Sequence, residues 1–380
     1  MVRRRETHVV DVQRLSSAQS QATRSFAVRG MTALRTRHSL RVTAGRGWRC
    51  RLRPQIRGRR GFRRLRLRSC TEYDATLQRP LEEGNGVTRV VVTGGSGKLG
   101  SACVADLVSH GYHVVIFDRV RSADMPQEST LIPVDLTDYG QVLDAMLGVE
   151  ERYNQVDALV HLAAIPAPGV VPNHATFANN MNATWNIFTA ARRTGVKNIV
   201  WASSETVLGL PFDTPPPYVP VDENYPPRPE STYSLVKTLE ETMAAQLCRW
   251  DPELKMLGLR FSNVMRPEDY AGFSDFQHDA SLRKWNLWGY IDARDGAQAI
   301  RLALESDLTG CEIFVIANAD TVMERSNTDL LAECFPDVEV RGEIGPNDTL
   351  LSIDKARRLL GYSPQHSWRH EASEPSEAGG

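Results

Sequence analysis

One short run constrains this chain more than any other: Arg89-Val90-Val91-Val92-Thr93 stops on Gly94-Gly95-Ser96-Gly97-Lys98-Leu99-Gly100 and continues as a helical pattern from Lys98 to His110. A G-x-x-G-x-x-G between a strand and a helix has a physical meaning at each glycine. Gly94 permits the tight turn, Gly97 lets the backbone approach a pyrophosphate, and Gly100 lets the helix pack closely on the strand. The pyrophosphate is then expected on the N–H groups around Gly97, Lys98 and Leu99, where the helix dipole favours an anion. Asp118 ends the next apolar run, Tyr112–Phe117. A carboxylate there accepts from the adenosine ribose hydroxyls and disfavours a 2′-phosphate, so NAD is the expected cofactor. Arg119 beside it could accept that phosphate, which leaves NADP open. The glycines alone are weak evidence; strand, glycines, helix, strand and acid in this order carry the weight.

Further short apolar runs fall at Leu131–Val134, Val156–Leu162, Asn198–Ala202, Met256–Phe261 and Glu312–Ile316. Helical patterns separate them, near Tyr139–Leu147, Ala175–Thr194, Thr232–Arg249 and Asp292–Glu305. Continuous apolar strands are those buried on both faces of a parallel sheet. The alternation predicts an α/β fold with a doubly wound parallel Rossmann sheet; a small C-terminal substrate-binding lobe is expected beside it. The expected organisation is a Rossmann domain over residues 87–262, the lobe over 263–370 interleaved with the last Rossmann elements, and a disordered tail over 371–380. Two long polar loops, Leu210–Pro229 and Asn263–Leu287, follow strands at the edge where open α/β sheets bind ligands.

Charge separates the first residues from this body. Residues 1–70 hold 20 of the 45 basic residues, all Arg, against Glu6 and Asp11, while the remaining 310 residues carry 25 basic and 44 acidic groups. Without a sustained apolar period, residues 1–86 read as an Arg-rich extension that does not offset its ordering entropy. A targeting segment, a nucleic-acid arm and a non-functional extension ahead of a later start such as Met31 all fit that composition, and a nucleic-acid partner is not expected. Six scattered cysteines without a C-x-x-C pair point to a reducing, cytoplasmic setting. His174 and His278 lack ligand spacing, so no metal is expected. No run reaches the length of a membrane span.

The chemistry is expected at Tyr233-Ser234-Leu235-Val236-Lys237. Spacing i, i+4 places the phenol and the ammonium on one helix face, where the cation should lower the tyrosine pKa toward working pH. Upstream, at the end of a strand, stands Trp201-Ala202-Ser203-Ser204-Glu205-Thr206-Val207-Leu208-Gly209, and Ser204 can bond the same substrate oxygen as Tyr233.

With these residues in place, the chain from about Thr88 to Trp368 resembles an extended short-chain dehydrogenase/reductase of the NAD-dependent epimerase/dehydratase family. Asp135-Leu136 resembles the family's adenine contact, His161-Leu162-Ala163-Ala164 its cofactor-facing loop, and Asn182-Ala183-Thr184-Trp185-Asn186 its N-x-G-T-x-N helix. Arg260-Phe261-Ser262-Asn263-Val264 matches R-x-x-N-V, and Asp295-Gly296-Ala297 resembles D-V-A. The resemblance implies that Tyr233 exchanges the hydroxyl proton, that Lys237 holds the nicotinamide ribose and tunes Tyr233, and that Ser204 orients the substrate. It implies cofactor contacts from Leu162, Ala163, Ala164 and Asn182, and substrate contacts from Ser203, Thr206 and Asn263.

Ser204-Glu205-Thr206 departs from the T-D-E of sugar-nucleotide dehydratases, whereas Ser204 to Gly209 is near the S-x-T-V-Y-G of epimerases. Only 32 residues separate Asn263 from Asp295. Sugar-nucleotide enzymes of the family build their nucleotide pocket from a longer segment, so the chain resembles more the compact uronate-dehydrogenase-like members. In that reading Arg283 or Lys284 pairs with a substrate carboxylate, bidentate geometry favouring Arg; the alternative is a solvated loop. Trp285 and Trp288 are expected to pack or to cover the pocket, and His161 to be a packed or backbone-bonded histidine. A small-molecule oxidoreductase is therefore expected, with a nucleotide-sugar epimerase and a catalytically idle NAD-binding regulatory protein as alternatives. The family often dimerises through helices equivalent to 175–194 and 232–249, which makes a homodimer possible.

Overall fold

The computed structural model describes strands within residues 25–71, and then residues 88–123, 125–148 and 156–371. Residues 1–86 and 87–380 are separate compact units. In the first, strands Ser25–Val28, Met31–Thr36, Ser39–Ala44, Trp48–Leu52 and Cys70–Thr71 pair antiparallel in chain order. Otherwise the expected Arg-rich extension lies outside the described residues.

In the second unit, Arg89–Thr93 (β1), His113–Asp118 (β2), Thr130–Pro133 (β3), Ala158–His161 (β4), Asn198–Ser204 (β5), Lys255–Phe261 (β6) and Gly310–Ile316 (β7) form one parallel sheet. Their order is β7-β6-β5-β4-β1-β2-β3. The chain reverses direction between β1 and β4, and in such sheets the crevice outside the strands' carboxyl ends at that reversal takes the ligand. Alternation along each strand sorts residues to two cores. Val90 and Val92 join Val114 and Ile116 in one core, while Val91 joins Val115 and Phe117 in the other.

Local sequence marks several of the helix ends. Lys98–Ser109 (α1) starts directly after Gly97. Tyr139–Leu147 (α2) is capped by Asp138, whose side chain accepts from the N–H groups of Gly140 and Gln141, and it stops at Gly148 with φ +71°. Asn173–Thr194 (α3) stops at Gly195 with φ +88°. Thr232–Trp250 (α4) opens on a capping box between Ser231 and Ser234. Such caps satisfy N–H groups that the helix itself leaves unpaired. Ala293–Glu305 (α5) packs beside α1, opposite the layer of α2, α3 and α4.

The long loops are ordered. Tyr218–Val219 pairs in parallel with Glu339–Val340, and Val264–Met265 with Ile291–Asp292. Residues Pro267–Phe276 form a 3-10 helix fastened to the start of α1: Lys98 Nζ lies 2.6 Å from Asp269, and Arg266 donates to Ser101 Oγ at 2.9 Å. Glu371 closes the helix Trp368–Glu371 and pairs with Arg294, so the fold extends one residue into the expected tail; the rest of that tail lies outside the described residues. Among the described residues no helix is long and apolar enough to cross a membrane.

Candidate active site

The glycine turn is built as the motif requires. Gly94 adopts φ +69°, and a Cβ there would lie 2.6 Å from the backbone nitrogen of Ala163. The turn after β1 therefore presses on the Leu162-Ala163-Ala164 loop after β4. A Cβ on Gly100 would lie 2.1 Å from the Gly94 carbonyl oxygen, so α1 meets the turn backbone to backbone. Gly97, by contrast, is exposed and has only the Gly94 oxygen within reach, at 3.3 Å. This open shelf above a helix start suits a pyrophosphate. Lys98 contributes its place at the helix start, its ammonium being engaged by Asp269. Leu99 is half-buried against the core beneath.

Asp118 accepts from the backbone N–H of Ser96 at 3.0 Å and of Arg119 at 2.7 Å, which anchors the carboxylate at the end of β2. Arg119 turns toward Asp135, 3.5 Å away. The Asp135 carboxyl lies below its usual range because the Thr137 hydroxyl and N–H donate to it, with Arg119 adding to the effect. Leu136 is buried, and its carbonyl accepts from Asn186.

Ser204, Tyr233 and Lys237 come together at the carboxyl end of β5. The strand runs on to Ser204, two residues past the predicted Ala202, because Ser203 and Ser204 continue the parallel register against Arg260 and Phe261. Ser204 Oγ accepts from Thr206 N–H at 3.1 Å and from Thr206 Oγ1 at 3.0 Å, and Ser204 stands close enough to the Tyr233 phenol to favour its ionised form. Lys237 Nζ donates to the Ala202 carbonyl at 2.8 Å and to Glu240 at 2.9 Å, and lies 5.9 Å from the Tyr233 ring centre. Burial pushes the Tyr233 phenol above its ordinary pKa and outweighs the opposing pull of Lys237. The expectation of a pKa already lowered toward neutrality is corrected here: desolvation of the phenolate is the larger effect.

Three other expectations change. Strand alternation turns Ser203 away from Ser204, into a buried cluster where it donates to Glu241 at 2.6 Å, itself held by Arg260 at 2.8 Å. It is not positioned to touch substrate. Asn182 lies on the exposed face of α3 beside Trp185, so it does not serve the cofactor loop. Asn180 does, accepting from the Ile165 N–H at 2.8 Å and donating to the Ile165 carbonyl at 3.1 Å. Counting three and four back from Ala183 and Thr184, the buried positions of that helix, would have found it. Arg283 is not on a solvated loop: it is 8% exposed, donates to the Gly289 carbonyl, and stacks 4.7 Å from the Trp285 ring. Trp288 is wholly buried and bonded to the Ala280 carbonyl, so it packs and does not cover a pocket.

Two buried carboxylates were missed, Glu205 and Glu240. Glu205 follows Ser204 and accepts from Ser262 Oγ at 2.6 Å and Asn286 Nδ2 at 3.1 Å. Burial pushes it up to about 7, against those bonds, the nearby Arg283 and the Asn263 N–H. Asn263, half-buried at the end of β6, thus reaches the site through its backbone. His161 is packed edge-on against Phe188, as expected, but bonded to the side chains of Thr93 and Thr184 and not to backbone. Burial and the Lys237 charge push its pKa down to about 3, so it is no base.

A seven-stranded doubly wound sheet, a glycine shelf at its reversal and an assembled Ser-Tyr-Lys site define a short-chain dehydrogenase/reductase of the extended type. Residues 90–317, more than half the chain, match the model of the NAD dependent epimerase/dehydratase family. The chain belongs to that family. It is 29% identical over 204 residues to UDP-glucose 4-epimerase 2 of Oryza sativa subsp. japonica, covering 49% of this chain and 48% of that protein. It is also 29% identical over 181 residues to UDP-glucose 4-epimerase of Bacillus subtilis (strain 168), covering 46% and 52%. The chain thus spans about half the length of these relatives. Among solved structures it is similar to a UDP-galactose 4-epimerase, with 27% identity, a TM-score of 0.55, and coverage of 75% of this chain and 96% of that one. A mutated uronate dehydrogenase shares the fold at 23% identity and a TM-score of 0.53, covering 77% and 88%.

Proposed function

We propose that this chain is an NAD-dependent oxidoreductase that moves a hydride between a hydroxyl-bearing carbon of a small sugar or sugar acid and nicotinamide. The observation that carries the reading is the Ser204–Tyr233–Lys237 cluster at the strand ends beside the glycine shelf. Gly94, Gly97 and Gly100, the helix start at Lys98 and Leu99, Asp118, Asp135, Leu136 and the Leu162–Ala164 loop would hold the cofactor. Bound there, nicotinamide supplies the two-electron chemistry, and the protein supplies position and electrostatics. Ser204 and Tyr233 would hold the reacting oxygen, with Thr206 fixing Ser204 from behind. The engagement of Arg119 by Asp135 supports NAD over NADP.

A small substrate is supported by the segment after Asn263. It is short, and its 3-10 helix is tied down on α1 by Lys98 and Arg266. Arg283 is the proposed carboxylate partner, buried beside Glu205 with Nε lacking a hydrogen-bond acceptor. A buried guanidinium with unused donors gains from an ionised ligand group. The second reading, a nucleotide-sugar epimerase, is favoured by the similarity to the plant and Bacillus UDP-glucose 4-epimerases. A panel of free sugar acids, neutral sugars and UDP-sugars, run with NAD and with NADP and followed by nicotinamide absorbance, separates them. We expect reduction of NAD by a sugar acid, with Arg283→Ala raising KM for that acid roughly tenfold or more and sparing neutral sugars. UDP-sugar interconversion without net NADH would replace this reading by the epimerase. An unmoved KM in Arg283→Ala would remove Arg283 from the substrate site.

A homodimer through α3 and α4 is part of the same proposal. Phe177 and Trp185 on α3 and Leu235 and Leu239 on α4 are exposed apolar side chains on the two helices concerned. Sedimentation should find a dimer that Trp185→Glu converts to monomer; a monomeric parent protein would sink this part.

A further inference from the structure

Three residues beyond Lys237 stands a carboxylate with no exposed surface. Glu240 accepts from Lys237 Nζ through Oε2 at 2.9 Å and from Thr184 Oγ1 through Oε1 at 2.8 Å. Thr184 has a single hydroxyl proton, so toward His161, whose Nε2 is 3.1 Å away, it must act as acceptor. His161 therefore carries its proton on Nε2, and Nδ1 accepts from Thr93 Oγ1 at 2.7 Å. Thr93 Oγ1 in turn accepts from the Ala163 N–H at 3.3 Å. Every donor in this buried row points toward Glu240. It ends on a backbone amide that has no proton to pass on, so it is a brace and not a proton path. It ties the last residue of β1, ahead of the glycine turn, to the helix carrying Tyr233 and Lys237.

Lys237 is 3% exposed. An ammonium so placed discharges by several pKa units unless a counter-charge holds it. The other titratable groups facing it are Tyr233 and Glu241 on its own helix and His161 on β4. Glu241 is committed to Arg260 on β6 and to Ser203 on β5, His161 is neutral, and Tyr233 further faces Glu205. Glu240 alone among these carboxylates contacts Nζ. Glu240 raises the Lys237 pKa against desolvation, and it also opposes the pull of Lys237 on the Tyr233 phenol.

We propose that Glu240 is a positioning residue that keeps Lys237 protonated and aimed at the reacting site, so that a side chain touching neither substrate nor cofactor sets the alkaline limit of activity. The inference rests on Ser204, Tyr233 and Lys237 being the reacting site.

The test compares Glu240→Gln with Thr184→Val in the full chain saturated with NAD. In the oxidation direction the parent rate should climb with pH and level off. With Glu240→Gln it should fall again, to about one-tenth of the parent near pH 9 while staying within about threefold near pH 6. Thr184→Val disturbs the brace but leaves the carboxylate, so no alkaline fall should develop. A second measurement needs no substrate: the nitrogen-15 resonance of Lys237 Nζ, assigned by its loss in Lys237→Arg. It should report ammonium to about pH 10 in the parent and neutral amine from about pH 8 in Glu240→Gln. If Glu240→Gln does not fold, Glu240→Asp serves, with a transition between those two values. A Glu240→Gln protein slowed by one factor at every pH, with Lys237 still charged at about pH 10, would overturn the proposal. A parent protein inert toward every sugar would sink the reading of the site, and the nitrogen titration would still decide the role of Glu240.

Discussion

Tyr233→Phe should abolish turnover and leave NAD binding nearly intact. The ring is 7% exposed and packed at the start of α4, so phenylalanine keeps its contacts and only the hydroxyl goes. That hydroxyl stands beside Ser204, the arrangement needed to take a proton from a substrate alcohol or return one to a carbonyl. Loss of a positioned acid or base is worth about 10²–10⁴-fold, and no second group stands ready. His161 is held neutral, with both ring nitrogens engaged by Thr93 and Thr184. Glu205 titrates near neutrality, but both its oxygens are committed to Ser262 and Asn286. Burial places the phenol above its ordinary pKa, so at neutral pH it is protonated. Alcohol oxidation, which needs the phenolate, should therefore quicken as pH rises, and carbonyl reduction should slow. Steady-state rates together with NAD titration by protein fluorescence check both halves. An active Tyr233→Phe protein would overturn the mechanism. A parent protein that binds NAD yet neither changes nicotinamide absorbance nor interconverts UDP-sugars would favour the idle regulatory alternative.

The parts of this fold visible in the sequence were those fixed by local rules. β1 and the glycine turn were legible because β-branched residues and obligatory glycines leave little choice of backbone. α2 falls where its apolar period places a helix, and Asp138 and Gly148 mark its ends. Tyr233 and Lys237 were legible because i, i+4 spacing on a helix fixes their relation without tertiary knowledge.

What the sequence hid depended on faces and on partners far along the chain. Ser203 and Ser204 are neighbours, yet one serves the site and the other a buried Glu241–Arg260 pair; only the pleat of β5 separates them. Asn182 and Asn180 differ by two residues, which on a helix is the difference between solvent and core. Glu205, Arg283 and Asn286 meet across about eighty residues of chain. Glu240 meets Thr184 across 56 residues. Composition makes such charges look like surface groups, because charged residues are seldom buried without partners. Here the partners were supplied by other elements.

The glycine shelf allows folding and cofactor binding to be separated by two single methyl groups. Gly100→Ala would place Cβ 2.1 Å from the Gly94 oxygen and 2.8 Å from Gly95 Cα. Both neighbours are backbone, so α1 must move away from β1, and the ties from Arg266 and Asp269 to that helix move with it. Overpacking against side chains costs about 1–3 kcal/mol; against a turn that cannot change rotamer the cost should reach or exceed the upper end. Gly100→Ala should lower Tm by several degrees and lose NAD binding. Gly97→Ala differs in kind. Its Cβ meets only the Gly94 oxygen, at 3.3 Å, and its φ of −76° suits any residue. Tm should stay near the parent value. The added methyl nevertheless stands on the open surface above the helix start, where a pyrophosphate must come into contact with backbone N–H groups. Gly97→Ala should therefore weaken NAD roughly tenfold or more, the loss of one or two charge-assisted hydrogen bonds. Thermal unfolding with and without NAD measures both effects at once. The parent should gain Tm with the cofactor, Gly97→Ala should keep the parent Tm and lose that gain, and Gly100→Ala should lose both. If Gly97→Ala retained the full NAD-dependent gain, the pyrophosphate would not lie on this shelf, and the cofactor site built from Gly94, Gly97 and Gly100 would have to be abandoned.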